Sequence, residues 1–312
     1  MTRASDDPSP TPTAPVPAHG DDAAERTGHA PGRVALGLAY RGDAYHGWQS
    51  QPDGRTVQDH LEHALAAFVG FEGGAIVPTV SAGRTDAGVH GLNQVVHFDA
   101  PVARDEFSWV RGTNRYLPDD IAVQWAQQVP ASFHARNSAR GRRYAYLLRE
   151  SAVRPALEAG LCGWTFRPLD HERMQQAAGA LLGEHDFSSF RSSQCQAASP
   201  VKEVRGIDIV RIGAYWRFDF EASAFLHHMV RNIMGALVAI GTGSLPVDAM
   251  TELLAQRERR LAPPTFPAAG LYFLGPRYDA HLALPDRSPA HDWLPQVPPG
   301  HSRPDEGFPR QI

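Results

Sequence analysis

The residues with the clearest capacity for chemistry are Asp86 and Arg84, two positions apart in Ala-Gly-Arg-Thr-Asp-Ala-Gly-Val-His-Gly at 82–91. In an extended segment such side chains project from the same face, so the guanidinium would hold the carboxylate ionised and orient it. An isolated motif of this kind is also typical of a turn between strands. Three glycines permit backbone angles closed to other residues and leave room for a bulky ligand: Gly83, Gly88 and Gly91.

Composition excludes several broad classes of protein. The chain has 312 residues, 42% of them hydrophobic and 21% charged, enough for one large core or two moderate ones. It has no apolar run of about eighteen residues and no apolar N-terminal segment, so we expect no membrane anchor, no secretory signal and a cytoplasmic location. Two cysteines, Cys162 and Cys195, are too few for a disulfide framework or a cysteine zinc site.

Charge is distributed unevenly along the chain. The formal net charge is −4, and the two ends carry the acidic excess, which leaves a nearly neutral body. Arginine suits bidentate phosphate contact and stacking on bases. Residues 136–154 form a local basic patch with a single acid, Glu150, among these arginines: Arg136, Arg140, Arg142, Arg143, Arg149 and Arg154.

The sequence pattern divides the chain into four parts. Residues 1–31 and 285–312 are rich in proline and lack a hydrophobic period, so we expect both tails to be disordered and dispensable for chemistry. Between them, the pattern predicts an N-terminal half at 32–135, with the Asp86 motif, and a C-terminal half at 136–284.

Hydrophobic periodicity and helix caps predict a mixture of strands and helices. The adjacent strands between 203 and 222 must be antiparallel, which favours an α+β layered sheet over a doubly wound parallel one. The predicted strands are 33–40, 92–99, 121–129, 142–149, 203–212, 215–222 and 270–275. The predicted helices run from Thr56 to Gly70, over about 104–117, from Asp170 to Gly183, over about 225–240 and at 247–258.

Metal-dependent hydrolysis is the first alternative, because the chain contains the pair His227-His228. Adjacent residues on a helix point about 100° apart, so this pair is predicted to be a poor zinc site. Neither His-Glu-x-x-His nor Cys-x-x-Cys occurs. Most of the predicted helix is core, and three of its polar residues are candidates to face a ligand: His228, Arg231 and Asn232.

Nucleotide cofactors and serine nucleophiles have no support either. The chain lacks Gly-x-Gly-x-x-Gly after a strand, a phosphate-binding Gly-x-x-x-x-Gly-Lys loop and a Gly-x-Ser-x-Gly turn. The remaining candidates are one aspartate in a glycine-rich motif, the tyrosines Tyr144 and Tyr146 on a basic strand, and arginines. Residues of these types can act on an extruded nucleobase.

Nine ordered segments between about residues 33 and 278 resemble the tRNA pseudouridine synthase A family. That family converts uridines at positions 38–40 of the tRNA anticodon stem-loop to pseudouridine. The matching segments are Tyr45-His-Gly-Trp-Gln, Ala82-Gly-Arg-Thr-Asp-Ala-Gly-Val-His-Gly, Gln94-Val-Val-His-Phe, Asn114-Arg-Tyr-Leu-Pro, Phe133-His-Ala-Arg, Arg142-Arg-Tyr-Ala-Tyr, Asp186-Phe-Ser-Ser-Phe, Phe225-Leu-His-His-Met-Val-Arg-Asn and Gly270-Leu-Tyr.

The resemblance implies roles for individual residues. Asp86 would be the catalytic carboxylate acting on a flipped-out nucleotide, either by attacking C1′ or by taking the C2′ proton. Arg84 would pair with Asp86 and help to hold the nucleotide. Tyr144 would stack on the target base and Leu271 would pack on its other side. Four arginines match only in type and region as phosphate contacts: Arg136, Arg140, Arg142 and Arg143.

The resemblance also implies a fold and partners. Two similar α/β halves would form one continuous, mostly antiparallel sheet flanked by helices, as in the pseudouridine synthase fold. The expected enzyme is a homodimer that acts on tRNA, needs no cofactor or metal and has no membrane partner. An inactive tRNA-binding module that serves as a chaperone is the alternative, and a metal-dependent nuclease is a weaker one.

Overall fold

The computed structural model describes residues 32–286 and 294–296. The predicted disordered tail at 1–31 lies outside these residues, as does most of the tail at 285–312. The described strands are β1 (Arg33–Tyr40), β2 (Val80–Ser81), β3 (His90–Asp99), β4 (Ile121–Val129), β5 (Gly141–Glu150), β6 (Gly163–Thr165), β7 (Gly183–Asp186), β8 (Val201–Ile212), β9 (Tyr215–Ala222) and β10 (Leu271–Arg277). The α-helices are α1 (Val57–Val69), α2 (Glu106–Asn114), α3 (His171–Gly179), α4 (Met229–Gly241) and α5 (Ala249–Gln256).

All ten described strands belong to one sheet. Eight follow the order β4-β1-β3-β10-β5-β9-β8-β7, with β2 beside β3 and β6 beside β5. Only the β3–β10 and β5–β6 pairs among them are parallel. The predicted α+β class, with a continuous and mostly antiparallel sheet flanked by helices, is therefore confirmed. The division into halves at residue 135 stays a prediction.

The last strand in sequence lies in the middle of the sheet. β10 pairs with the start of β3 through Tyr272↔His90, and with β5 through Leu271↔Tyr146. Since the Asp86 segment immediately precedes β3, this pairing brings the beginning of β10 and the middle of β5 next to that segment.

The two faces of the sheet carry separate cores. Successive side chains of a strand point to opposite faces. Tyr144 and Tyr146 accordingly belong to a cluster with residues of α3 and α4, whereas Ala145 and Leu147 belong to a second cluster that includes Leu294. Helices α1 and α2 pack with β1 and β3 in a third cluster.

Helix α1 begins and ends at the residues that its local sequence signals indicate. Thr56 is its N-cap, and its hydroxyl accepts the backbone N–H of Asp59 at 3.3 Å and donates to the Asp59 carboxylate at 2.5 Å. Gly70 ends the helix with a left-handed φ of 81°. Both predicted ends of this helix are confirmed.

Other boundaries differ from the prediction for local reasons. Helix α3 ends at Gly179, four residues before the predicted end, and Gly183, which has a φ of 92°, opens β7 instead. Strands β2, β6 and β7 have two to four residues, too few for an alternating pattern to identify. Among the residues that the structure describes, none of the helices has the length and apolar character needed to span a bilayer.

Part of the predicted C-terminal tail packs on the sheet. Leu294 is 2% exposed and fills a cluster with Leu147, Tyr272 and Leu274, and the carbonyl of Pro295 accepts a hydrogen bond from Arg217 at 3.0 Å. The expectation of disorder is therefore wrong for 294–296, because an apolar side chain in a proline-rich stretch can cover an apolar face of the sheet.

Leu294→Ala is expected to lower the free energy of unfolding by about 2–4 kcal/mol, because it leaves a cavity against the sheet. Urea denaturation of the purified variant measures this loss. Leu157→Ala is the matched control, since Leu157 is 94% exposed and its truncation leaves no cavity. Equal stability of the two variants would show that Leu294 does not support the fold.

Candidate active site

The segment that carries Asp86 is a loop between β2 and β3 whose backbone is held on both sides of the carboxylate. The hydroxyls of Tyr40 and Thr85 are hydrogen-bonded at 2.8 Å in a buried position. The Thr85 carbonyl accepts the Trp48 N–H at 3.0 Å, and the Asp86 carbonyl accepts the Val89 N–H at 3.1 Å. These contacts fix the position from which the Asp86 side chain projects.

Two side chains of the sheet hold the preceding part of the loop. Gln94 donates to the Gly83 carbonyl at 2.7 Å, and Arg142 donates to the Ala82 carbonyl at 2.9 Å and the Arg136 carbonyl at 2.8 Å. Burial lowers the pKa of Arg142. Arg142 was predicted to contact the substrate, but its guanidinium binds backbone carbonyls here, which makes it a residue that positions the loop.

Glycine is required at two of the three positions that the sequence singled out. Gly88 has a φ of 80°, and a Cβ there would lie 3.2 Å from the Cβ of Ala268. A Cβ on Gly91 would lie 2.5 Å from a ring carbon of Tyr40. Gly83 lacks a positive φ, and the nearest atom to its added Cβ is 3.9 Å away. The turn at Gly88 and the close packing at Gly91 therefore shape the loop.

Three basic side chains from a distant part of the chain surround the Asp86 carboxylate. His227 Nε2 lies 3.3 Å from Oδ1, and His228 Nε2 lies 3.4 Å from Oδ2. Arg231 donates from Nη1 to Oδ2 at 3.1 Å. The Asp86 side chain retains 20% of its exposure, so it remains accessible to a ligand.

The two histidines reach Asp86 because they precede helix α4 and do not lie on it. The helix was predicted to begin near residue 225, but it begins at Met229, and His228 has a left-handed φ of 63°. That conformation is strained for a residue with a side chain and is found at functional sites. The rings of His227 and His228 lie 4.0 Å apart between centroids. The expectation that adjacent histidines diverge was wrong, because it assumed helical geometry.

The charges around Asp86 decide its ionisation. Burial alone would raise the pKa of the carboxyl, but the hydrogen bond with His227 and the positive charges of His228 and Arg231 outweigh it, so the pKa of Asp86 is lowered. Burial also lowers the pKa of His228, so its imidazole carries a positive charge only at acidic pH. Arg231 therefore supplies the permanent positive charge that keeps Asp86 ionised at neutral pH.

Arg231 is itself held in place from the other side. Its Nε donates to the Phe266 carbonyl at 2.9 Å, and its own carbonyl accepts the Phe266 N–H at 3.1 Å. Asn232, the next residue, is fully buried, donates to the Phe190 carbonyl at 2.8 Å and therefore does not face a ligand. Arg231 thus links the Asp86 loop to the segment before β10.

Arg84 does not pair with Asp86. It is exposed, and no carboxylate of the described residues lies within ion-pair distance of it. The predicted pair assumed an extended segment, but β2 ends at Ser81 and the chain turns after Asp86. Burial and the charge of Arg84 lower the pKa of Arg136, so these two arginines lie near each other.

Tyr144 and Leu271 lie in the core cluster beside the loop. The Tyr144 ring meets Phe225 edge-on at 5.1 Å between centroids and Phe273 at 5.0 Å. Burial and, secondly, the charge of Asp86 raise the pKa of Tyr144, so its hydroxyl stays protonated. Leu271 is 4% exposed and belongs to the same cluster. The structure therefore brings Tyr144 near Asp86 and places Leu271 in the same core cluster as Tyr144.

Arg143 and Arg140 form ion pairs with acidic residues near the C-terminal end of the described chain. Arg143 follows Arg142 on β5 and points to the opposite face of the sheet, where it pairs with Asp286 at 2.5 Å. Arg140 pairs with Asp279 at 2.9 Å. The structure does not bring Arg143, predicted to bind the substrate, to the Asp86 loop.

The cluster offers three ligand atoms to a cation. One atom each of Asp86, His227 and His228 lies within 4.8 Å of the others, the only such group among the described residues. Arg231 already occupies one carboxylate oxygen, and its charge would repel a cation there. His227 was not among the predicted site residues, although it stands within the matching segment at 225–232.

The candidate site is thus an ionised carboxylate on a loop next to the middle of a continuous, mostly antiparallel sheet. A family model described as tRNA pseudouridine synthase matches residues 38–137 and 177–279. A protein of Methylibium petroleiphilum named tRNA pseudouridine synthase A is 68% identical over 263 residues, which cover 84% of this chain and 100% of that protein. A protein of Albidiferax ferrireducens with the same name is 61% identical over 263 residues, which again cover 84% of this chain and 100% of that protein.

The chain belongs to the tRNA pseudouridine synthase family and is an enzyme that isomerises uridine to pseudouridine. The alternatives of an inactive binding module and of a nuclease find no support among these relatives. A solved structure of an H/ACA RNP bound to a substrate RNA containing 2′-deoxyuridine aligns over 66% of this chain and 53% of that one. Its identity is 11% and its TM-score 0.30, and so weak a likeness says nothing further about this enzyme.

Proposed function

We propose that this enzyme converts uridine to pseudouridine at positions 38–40 of the tRNA anticodon stem-loop, with Asp86 as the catalytic carboxylate. The observation that carries the proposal is the accessible Asp86 carboxylate, which Arg231 and two histidines hold and whose pKa their contacts lower. The relatives named tRNA pseudouridine synthase A support tRNA as the substrate. The resemblance to that family supports the positions.

The reaction needs a base and nucleophile but no oxidant or reductant. The bond between N1 of uracil and C1′ of ribose breaks, the uracil turns, and C5 bonds to C1′. C5 then loses its proton and N1 gains one, so that substrate and product are isomers. An ionised carboxylate can begin this by attacking C1′, which gives a covalent sugar ester, or by taking the C2′ proton, which gives a glycal. Asp86 is ionised and accessible for either route.

Residues around Asp86 would orient the carboxylate, contact the base and bind phosphates. Arg231 orients the carboxylate and holds its charge. Tyr144 offers an aromatic ring and a protonated hydroxyl to the extruded base, and Leu271 offers an apolar surface beside it. Arg84 and Arg136 are two neighbouring arginines that remain available to the phosphates of the flipped nucleotide.

Tyr144→Phe and Tyr144→Ala are expected to separate stacking from hydrogen bonding. Because stacking is expected to be the main contribution, the phenylalanine variant should lose less than about fivefold in kcat/KM. The alanine variant should lose the binding energy of a stacked base, which is about 1–3 kcal/mol. Steady-state kinetics on tRNA measures both. Equal losses in the two variants would contradict a stacking role, and thermal unfolding checks that the alanine variant remains folded.

Mapping the product tests the proposed positions. The enzyme is incubated with unmodified tRNA transcripts that carry a single uridine at 38, 39 or 40, and pseudouridine is located chemically along the whole RNA. Product confined to these positions supports the proposal. Product elsewhere in the tRNA, with these three positions unmodified, would contradict it.

We also propose that the enzyme is a homodimer in the cytoplasm, where its tRNA substrate is found. This rests on the resemblance to its family. Light scattering after size-exclusion chromatography at several protein concentrations distinguishes a dimer from the 34.1 kDa monomer. A monomer mass at every concentration would contradict the proposal.

A further inference from the structure

The loop between β4 and β5 carries Arg136 and is held more tightly than its position requires. Its residues belong to neither a helix nor a strand. Even so, each backbone N–H from 134 to 137 donates to an acceptor within the protein. Water can satisfy the backbone groups of an exposed loop, so these internal hydrogen bonds are not needed to avoid unpaired groups. They give this loop one defined shape.

His134 makes most of these hydrogen bonds. Its Nδ1 accepts the backbone N–H groups of both Arg136 and Asn137, each at 3.2 Å. Its carbonyl accepts the N–H of Ser138 at 2.9 Å, and the Ser138 hydroxyl accepts the N–H of His134 at 3.1 Å. The segment is therefore a single closed turn in which the first and last side chains bind backbone groups reciprocally, as in a helix capping box.

Two side chains from the sheet fix the residue between His134 and Arg136. His97 Nδ1 accepts the N–H of Ala135 at 3.1 Å, and the hydroxyl of Tyr278 donates to the Ala135 carbonyl at 2.6 Å. Burial lowers the pKa of His97 to about 4, so its ring is neutral at neutral pH and its Nδ1 can accept. The rings of His97 and His134 lie 5.0 Å apart between centroids. Two adjacent imidazoles thus supply the acceptors for three consecutive N–H groups.

This use of Nδ1 determines the tautomer of His134. A ring nitrogen that accepts hydrogen bonds from N–H groups carries no proton of its own, so the proton of the neutral ring is on Nε2. A proton on Nδ1 would point at two backbone N–H groups, and the turn would lose both bonds. Asparagine can supply the same acceptor, because its Oδ1 is separated from Cα by as many bonds as Nδ1 of histidine. Leucine supplies no acceptor.

The shape of the turn matters because Arg136 lies beside Arg84. Burial and the charge of Arg84 lower the pKa of Arg136, and two like charges at close range repel each other. Arg142 ties the two segments together, since its Nη2 donates both to the Arg136 carbonyl at 2.8 Å and to the Ala82 carbonyl at 2.9 Å. The backbone therefore holds two guanidinium groups close together, and a phosphate that contacts both would relieve their repulsion.

We propose that His134 is a positioning residue for the reaction and acts through Arg136. As the Nε2-protonated tautomer it closes the turn at 134–138, so that the Arg136 guanidinium stays beside Arg84 and contacts the phosphate of the flipped nucleotide. The proposal rests on the proposed function, which assigns that phosphate to the two arginines. It gives a role to a residue of the matching segment Phe133-His-Ala-Arg that the reaction itself does not use.

The first test compares His134→Leu with His134→Asn. We expect kcat/KM on tRNA to fall about tenfold or more in the leucine variant, because the arginine loses most of a charge-assisted contact. The asparagine variant is expected to stay within about threefold of the wild type. The matched control is His63→Leu, since His63 is exposed on α1 and also binds a backbone carbonyl, that of Asp59 at 2.6 Å. Equal losses in His134→Asn and His134→Leu would overturn the proposal.

A double-mutant cycle separates positioning from general support of the fold. Arg136→Ala alone is expected to lose about 10–100-fold in kcat/KM, the range for a hydrogen bond to a charged group. In the Arg136→Ala background, His134→Leu is then expected to change kcat/KM less than about twofold, because the residue through which it acts is gone. The same loss in both backgrounds would contradict the proposal, as would wild-type kcat/KM in Arg136→Ala.

The tautomer provides a readout on the wild-type protein that does not depend on the folding of any leucine variant. Ring ¹⁵N chemical shifts distinguish a protonated from a bare nitrogen, and the signals of His134 are assigned by their disappearance in His134→Asn. We expect a bare Nδ1 and a protonated Nε2 in the neutral ring. A neutral ring with its proton on Nδ1 would overturn the proposal. Wild-type protein that makes no pseudouridine at 38–40 would instead refute the proposed function, whatever the tautomer.

Discussion

Asp86→Asn is expected to reduce pseudouridine formation by at least about a thousandfold while tRNA binding changes less than about threefold. Asparagine has nearly the same size and can still accept a hydrogen bond from Arg231, so the loop and the pocket keep their shape. It cannot attack C1′ or take a proton from C2′, and both routes to the product therefore stop. The rate of pseudouridine formation is measured by counting product, and tRNA binding is measured by fluorescence anisotropy.

Asp119→Asn is the control for this substitution, since Asp119 is an exposed aspartate in the turn before β4. It removes the same charge from a position outside the candidate site and is expected to retain wild-type turnover. Thermal unfolding of both variants excludes a loss of fold. Wild-type turnover by Asp86→Asn would remove the carboxylate from the mechanism.

Arg231→Met is expected to lower kcat by about 10²–10³-fold, because it removes both the orientation of the Asp86 carboxylate and its permanent counter-charge. It should also change the pH dependence. Arg231 helps to lower the pKa of Asp86, and the carboxylate acts only above that pKa. Without Arg231 the pKa rises, so the acid side of the kcat profile moves to higher pH. Single-turnover rates across the pH range measure the shift.

The conservative variant Arg231→Lys separates charge from geometry. Lysine keeps a positive charge but cannot donate to Asp86 and to the Phe266 carbonyl with the planar fork of arginine. We expect an acid limb near that of the wild type and a partial recovery of kcat. An acid limb that stays in place in Arg231→Met would show that Arg231 does not control the ionisation of Asp86.

Elements with local signals were predictable from the sequence. β1 has large apolar residues at every second position, and α1 has a capping threonine and a terminal glycine, so their bounds agree with the prediction. The bounds of β4 agree with it too. β10 lies between β3 and β5 because it pairs with residues about 180 positions away in β3 and about 125 positions away in β5, and no local pattern indicates such pairing. The α+β class followed from the order of elements, but the order of the strands did not.

The candidate site was likewise predictable only where the signal is local in sequence. The glycine-rich motif identified Asp86, but the expected partner Arg84 was the neighbour in sequence, whereas Arg231, 145 positions away, is the partner in the structure. The separation of Arg142 from Arg143 could have been predicted, because neighbours on a strand face opposite sides of the sheet. The histidine pair was misjudged because the left-handed turn at His228 has no signal in residue type.

We have proposed that the Asp86 carboxylate isomerises uridine within the anticodon stem-loop. Its most direct test is a single-turnover time course with excess enzyme on one tRNA transcript, in which pseudouridine at each of positions 38–40 is counted for the wild type and for Asp86→Asn. Excess enzyme removes differences in affinity from the comparison. We expect product at these positions with the wild type and none above background with the variant, at equal occupancy of the RNA. Product formed by Asp86→Asn at a rate near that of the wild type would contradict it.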